Sequence, residues 1–212
     1  MPKVVDHESR RQLVADALLE LVAIEGFGAI TVRRVADRAG CSPGAVQHYF
    51  DSKRDLLLFA LSVVVSRVSE RLEAIANVSP VMEQIRQSIV DTLPFDDLRR
   101  TEALVWLAFV TQAAVDPEFA AVVESVDNEV RNSLSELIIL ARSRDEIESL
   151  LDPRIASDLL IATSDGIASR MLSGGGGLNK RQALDLVDAI MTVTLQPVVR
   201  RRNTSHKRSG HR

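Results

Sequence analysis

A single cysteine, Cys41, stands in 212 residues, so no internal disulfide is available and the fold must rest on an apolar core. No apolar run approaches the roughly 18 residues that a membrane span needs; the stretch from Ala103 to Val110 is among the longest. The opening MPKVVDHESRRQ carries charges where a signal peptide would place its apolar segment. A cytoplasmic protein with no membrane partner is therefore expected. Alternating strand patterns are missing, and so is any repeat of roughly 20 to 50 residues, which argues against a helical solenoid. One cysteine with His7, His48, His206 and His211 makes no ligand pair at helical spacing, so no metal site is expected. The glycines from Gly174 to Gly177 follow no strand and lack the spacing of a phosphate-binding loop. They read as a flexible connection, and no cofactor is implied.

What is present is a chain with 46% hydrophobic and 26% charged residues, long enough for one large domain or a small one joined to a larger one. Its net charge of −3 is segmental. Six of the 26 Lys and Arg fall in residues 197 to 212, which hold no acid, leaving 20 against 29 acidic residues elsewhere. The basic end has no apolar periodicity and reads as a disordered tail over 198–212, either merely solvated or touching nucleic acid.

Apolar residues recur at three and four spacing, which predicts an all-α fold of about nine helices. Leu13, Ala17, Leu21 and Ile24, joined by Val14 and Leu18, form the first stripe, ending at Gly26. Thr31 caps a second helix with Val32, Val35, Ala36 and Ala39 on one side, stopping at Gly40. Ser42 and Pro43 are a capping serine and a first-turn proline, so a short third helix starts there. Ser52 opens a long fourth helix, with Asp55 three residues on. Ser79-Pro80, Asp116-Pro117, Asp152-Pro153 and the pair Asn179 and Gln182 mark four further starts. Between Asp96 and Val115 lies a sixth helix that is apolar nearly all round from Ala103 to Ala114, the pattern of a buried helix.

The second and third helices are joined by AGCS, and a short glycine-bearing turn sets two helices at the steep angle of a helix-turn-helix. The third helix would then enter a major groove N-terminus first, where its free N–H groups favour phosphate. Pro43, Gly44 and Ala45 keep its first turn slim. Gln47 and His48 are best placed for base edges, since glutamine bonds adenine in bidentate fashion. Val46 and Phe50 should face the core, Tyr49 should straddle the rim with its hydroxyl on a phosphate, and Cys41 should pack inward as a small hydrophobe.

The segment TVRRVADRAGCSPGAVQHYFDSKRDLL resembles the TetR-type bacterial transcription regulators. The likeness covers roughly residues 10 to 60 and rests on Thr31, Ala36, Ala39-Gly40, Ser42, Gly44, the aromatic pair ending in Phe50, Lys53 and Leu56-Leu57. It implies that Lys53 and an aromatic residue of the third helix meet phosphates; Thr31, Arg33 and Ser42 are further candidates for DNA binding. Gln47 and Tyr49 depart from the commoner tyrosine and histidine. QHYF, VWLAFVTQAAVDPEFAAV and DLLIATSDGIASRML are similar to the subgroup that includes the choline-responsive betaine regulator.

The resemblance implies a DNA-binding domain over 1–52, an effector-binding and dimerisation domain over 53–197 with the fourth helix as connector, and a homodimer on double-stranded operator DNA. The last two long helices would pair with their copies. Their stripes, Leu159, Leu160, Thr163, Ile167 and Met171, then Ala183, Leu184, Val187, Ile190, Met191 and Thr194, suit that interface and also suit an intramolecular core. A small-molecule effector of unidentified chemistry is expected among Phe59, Met82, Trp106, Phe109, Val110, Gln112, Ala113 and Asp165, with Thr111 near; the same spacing is that of a plain core. The function expected is a ligand-released repressor reading a palindrome. The alternative is an all-helical enzyme or a helical interaction protein without operator binding, although Asp96-Asp97 and Asp145-Glu146-Glu148 read as caps and solvated faces rather than as a catalytic pair.

Overall fold

The computed structural model describes residues 3–26, 28, 30–76, 80–174 and 177–197. Among them are nine helices and no named strand: α1 (Lys3–Glu25), α2 (Val32–Ala39), α3 (Pro43–Tyr49), α4 (Lys53–Ile75), α5 (Val81–Asp91), α6 (Asp97–Ala113), α7 (Pro117–Ser143), α8 (Pro153–Leu172) and α9 (Lys180–Leu195). Most starts fall where the capping residues predict. Thr31, Ser42, Ser52, Asp96, Asp116, Asp152 and Asn179 each accept a backbone N–H of the helix that follows. Asn179 and Gln182 complete a reciprocal box. Ser79 lies outside the described residues. Pro80 is the N-cap of α5 and offers no side-chain bond; instead the Glu146 carboxylate, arriving from beyond α7, accepts the Met82 N–H at 2.9 Å.

Two apolar clusters hold the helices. The first joins α1 to α4 through Val14, Leu18, Ile30, Val35, Val46, Phe50, Leu56 and Leu61, and continues into α6 and α7 through Val105, Phe109, Phe119 and Val123. The second gathers α5, the distal part of α7, α8 and α9 around Ile85, Ile138, Leu160, Val187 and Leu195. The described chain closes on itself there: Ile147 pairs with Pro197, and the Glu148 N–H reaches the Gln196 carbonyl at 3.0 Å.

Three sequence expectations need correction. Leu13 and Ile24 are exposed, because the buried stripe of α1 is centred on Val14, Leu18 and Val22 and these two lie at its edge. The sixth helix is not enclosed: only Glu102, Val105 and Phe109 of α6 are buried, while Leu107, Val110 and Thr111 face outward. Apolar composition all round does not guarantee neighbours all round. Finally, Leu160, Ile167, Val187, Met191 and Thr194 are buried within the protomer. They face the second cluster and are unavailable to a partner chain.

Gly40 and Gly177 meet local demands. Gly40 has φ of +67° and ends α2 while the Cys41 N–H turns back to the Ala36 carbonyl at 3.0 Å, a left-handed cap that suits glycine. A Cβ on Gly177 would lie 2.3 Å from the Arg170 carbonyl oxygen, so the return from α8 to α9 passes too close for any side chain. Gly175 and Gly176 lie outside the described residues, as does the basic tail over 198–212.

One polar cluster ties the connector to the larger domain. The Arg71 guanidinium of α4 donates to both oxygens of Glu102 on α6 at 2.7 and 3.1 Å and to Asp91 at the end of α5 at 2.7 Å. Glu102 is buried, and the bidentate bond is what makes that tolerable. Glu102→Ala should lower the unfolding free energy by roughly 2 kcal/mol, the scale of a hydrogen bond to a charged group, and with it the denaturation midpoint. Urea unfolding with an unchanged slope checks it.

Candidate DNA-reading face and effector region

The short helix α3 stands on Val46 and Phe50, both buried, as its four-residue spacing predicts. Cys41 is half-buried and packs against the same cluster. The opposite side of α3 presents Pro43, Gly44, Gln47 and His48 to solvent, with Ala45 half-buried. Ser42 accepts the Ala45 N–H at 3.1 Å and Thr31 accepts that of Arg34 at 3.3 Å; each hydroxyl keeps its proton to donate outward. Arg33 and Lys53 are exposed at the first turns of α2 and α4. Arg34 and Arg38 are engaged with Glu25 and Glu20 of α1, which sets the tilt of α2.

Tyr49 is half-buried at the rim. Its ring lies edge-on to His7 of α1 at 4.7 Å and to His48 at 5.3 Å. His7 was legible in the sequence only as an isolated histidine; the fold brings it into contact with Tyr49 of α3, 42 residues away in the chain. This three-ring group gives α3 an aromatic flank built from two helices.

The expected effector residues separate into four places. Phe59 packs on Phe50 at 5.4 Å beneath the Arg11 guanidinium, so it belongs to the core of the reading domain. Met82 lines an open groove between α5 and α9 with Arg86, Asp188 and Met191. Phe109 is fully buried and Ala113 packs beside it, Gln112 uses its carbonyl to close the end of α6, and Val110 is exposed. Trp106 of α6 and Asp165 of α8 come together from different helices, the indole lying beside a carboxylate on an exposed residue.

Desolvation pushes the Asp165 carboxyl up to about 6, the nearby Asp127 of α7 adds to the rise, and the neighbouring Trp106 indole opposes it. Asp127 is itself raised, first by burial and then by Asp158, against the pull of Arg131. Arg131 is fastened to Asp158 and, at 2.7 Å, to Asn128. The result is a region between α6, α7 and α8 with an indole, two carboxylates of elevated proton affinity and one arginine already committed elsewhere. Asp127 and Arg131 escaped the sequence reading. Their one signal was a four-residue acid–base spacing on a helix, which usually marks a solvated face.

A family model for a BetI-type transcriptional repressor, C-terminal, matches residues 81–196, and one for bacterial regulatory proteins of the tetR family matches residues 14–59. The chain belongs to the TetR family. Relatives agree along nearly its whole length. The HTH-type transcriptional regulator PksA of Bacillus subtilis is 30% identical over 201 residues, spanning 93% of this chain and 92% of its own. The HTH-type transcriptional regulator BetI of Serratia proteamaculans is 28% identical, spanning 92% of this chain and 98% of its own. A transcriptional regulator from Rhodococcus superposes with a TM-score of 0.81 at 29% identity, covering 90% of this chain and 99% of its own. A regulator from Saccharomonospora viridis, solved in complex with choline, superposes with a TM-score of 0.83 at 21% identity, covering 91% and 100%.

This TetR-family chain is thus a DNA-binding transcriptional regulator with a ligand-binding C-terminal domain, and the family assignment removes the enzyme alternative. Among the described residues no helix is long and apolar enough to cross a membrane.

Because the folded Asp165 holds its proton more tightly than an unfolded aspartate, its contribution to stability should decline as pH rises from the ordinary carboxylate range through about 6 and then level off. Trp106 is the only tryptophan, so its fluorescence should titrate with a midpoint near 6 that is lost in Asp165→Asn and moves down in Asp127→Asn.

Proposed function

We propose that this chain is a repressor that binds a two-fold symmetric operator as a homodimer and leaves it when a small cationic effector binds between α6, α7 and α8. The observation that carries the DNA-reading part is the exposure of Gln47 and His48 on a proline-started helix whose inner side, Val46 and Phe50, is locked in the core. Lys53, Arg33, Thr31, Ser42 and Tyr49 surround that helix with phosphate-seeking groups, and Pro43, Gly44 and Ala45 let its backbone come close. Gln47 and His48 then choose bases.

A helix of seven residues covers too few base pairs for specificity alone, so two copies reading half-sites about 34 Å apart are required. The surface for that pairing is the outer side of α8 and α9. Ile155, Leu159, Ala162 and Gly166 recur at helical spacing on α8, with Leu186, Ala189 and Val193 on α9, and all are exposed in the protomer. Thr163, Met171, Leu184 and Ile190 are half-buried at its margin.

A cationic effector suits a region that sets an indole beside two carboxylates, since an ammonium gains both from the ring face and from the charge. The choline held by the Saccharomonospora viridis regulator supports this class. Binding would favour a dimer in which the two recognition helices no longer match one turn of DNA, so affinity falls through the effector's preference for that state.

Gel shifts against the DNA flanking the protein's own gene test the reading, with choline added to test release. Lys53→Ala should weaken binding to all sequences and reduce the salt slope by about 1, whereas Gln47→Ala should relax preference at one base position by roughly 1–3 kcal/mol. An intact salt slope in the lysine variant would remove Lys53 from the phosphate contacts. Leu159→Asp combined with Val193→Asp should sediment as a folded monomer and lose the shift; a persistent dimer would place the interface elsewhere.

A further inference from the structure

Arg54 is the second residue of α4, where a cation opposes the positive end of the helix dipole. Nothing within α4 explains it there, since the residue four positions on is Leu58. Its partners are more than sixty residues away: the guanidinium is shared between Asp116 and Glu118. Asp116 is the N-cap of α7 and Glu118 lies in its first turn, where acids are favoured. The fork therefore joins the starts of two helices, with the single charge of Arg54 shared between both carboxylates.

The same guanidinium stands 5.5 Å from the centre of the Phe119 ring. Phe119 is buried and meets Phe109 of α6 edge-on at 5.4 Å. Phe109 is three residues from Trp106 and so shares its side of α6; Trp106 in turn neighbours Asp165. A line of side chains thus leads from the proposed effector region to the first turn of α4, beside Lys53. Helices α4 and α7 share the first apolar cluster, and Arg54 adds a polar tie between their first turns.

We propose that Arg54 is a positioning residue: it registers the first turn of α4, and with it Lys53 and the recognition helix, against the elbow between α6 and α7, and so relays the state of the effector region to the DNA-reading face. This rests on the DNA-reading role proposed above. Arg54 and Glu118 are largely exposed, and exposed pairs add little to global stability. Removing the tie should leave a folded protein with a mis-set reading head.

The test uses the full chain and duplexes selected from random sequence by the wild-type protein. Arg54→Met, which keeps the stem and loses the charge, should weaken binding by roughly 5-fold or more, the lower range of coupling between sites, at an unchanged salt slope. Asp116→Asn with Glu118→Gln, which keeps the N-cap acceptor, should do the same. Reversing the pair as Arg54→Glu with Glu118→Arg in the Asp116→Asn background should restore much of the affinity. A salt slope reduced by about one in Arg54→Met, with no rescue by reversal, would make Arg54 an ordinary phosphate contact and overturn the proposal. Amide hydrogen exchange without DNA supplies an independent readout: Arg54→Met should lose protection in the first turns of both α4 and α7, and unchanged protection in both overturns the tie. A wild-type protein that selects no duplex would defeat the DNA-reading role itself, while the exchange experiment still decides whether Arg54 holds the two helices in register.

Discussion

The continuity of the first apolar cluster governs the behaviour of the whole molecule. Val105, Phe109, Phe119 and Val123 belong to α6 and α7, yet they pack into the same core as Leu18, Val35, Val46 and Leu56 of the reading domain. Close-packed interiors transmit displacement because no slack separates one side chain from the next. The reading head therefore cannot tilt without a response from the elbow of the larger domain, and the elbow cannot shift without the head. Coupling is built into the packing before any ligand is considered.

Polar groups are placed where they sharpen that arrangement. Arg71 clamps Glu102 and Asp91 where α4, α5 and α6 meet, Arg67 meets Asp16 between α4 and α1, and Arg54 spans α4 and α7. Three arginines of one helix thus reach carboxylates on α1, on α5 and α6, and on α7, which suits a connector. Arginine is apt for this because its planar fork holds carboxylates in a defined orientation. The proposed effector region differs: Asp127 and Asp165 lack a cation dedicated to both, since Arg131 is drawn to Asp158. Their shared excess of negative charge is the local feature that a cationic ligand would relieve.

Much of the fold was legible because its starts are chemical. A serine, threonine, aspartate or asparagine before a helix satisfies a backbone N–H locally, with no help from distant residues, and these positions agree with the structure at seven of the nine helices. Helix α5 shows the limit. Its N-terminal donor is satisfied by Glu146, a partner that only the folded chain supplies. The reading face was legible for a similar reason, since Val46 and Phe50 define which side of a short helix is inward and leave Gln47 and His48 outward.

The effector region was legible only in part, because apolar spacing marks a buried side without saying what it is buried against. Phe59, Met82, Phe109 and Trp106 look alike in sequence, yet one supports the reading domain, one lines a groove on α5, one fills the core and one meets Asp165. The stripes of α8 and α9 carried the same ambiguity, and the fold directs Leu160, Ile167, Val187, Met191 and Thr194 inward while Leu159 stays outside. Local sequence by itself determined where helices begin and which side of α3 is presented, because capping bonds and helical periodicity act within a few residues. Tertiary structure alone decided which helix faces meet, that His7 joins Tyr49, and that Arg54 reaches Asp116 and Glu118, because those outcomes depend on partners that the chain brings together only by folding.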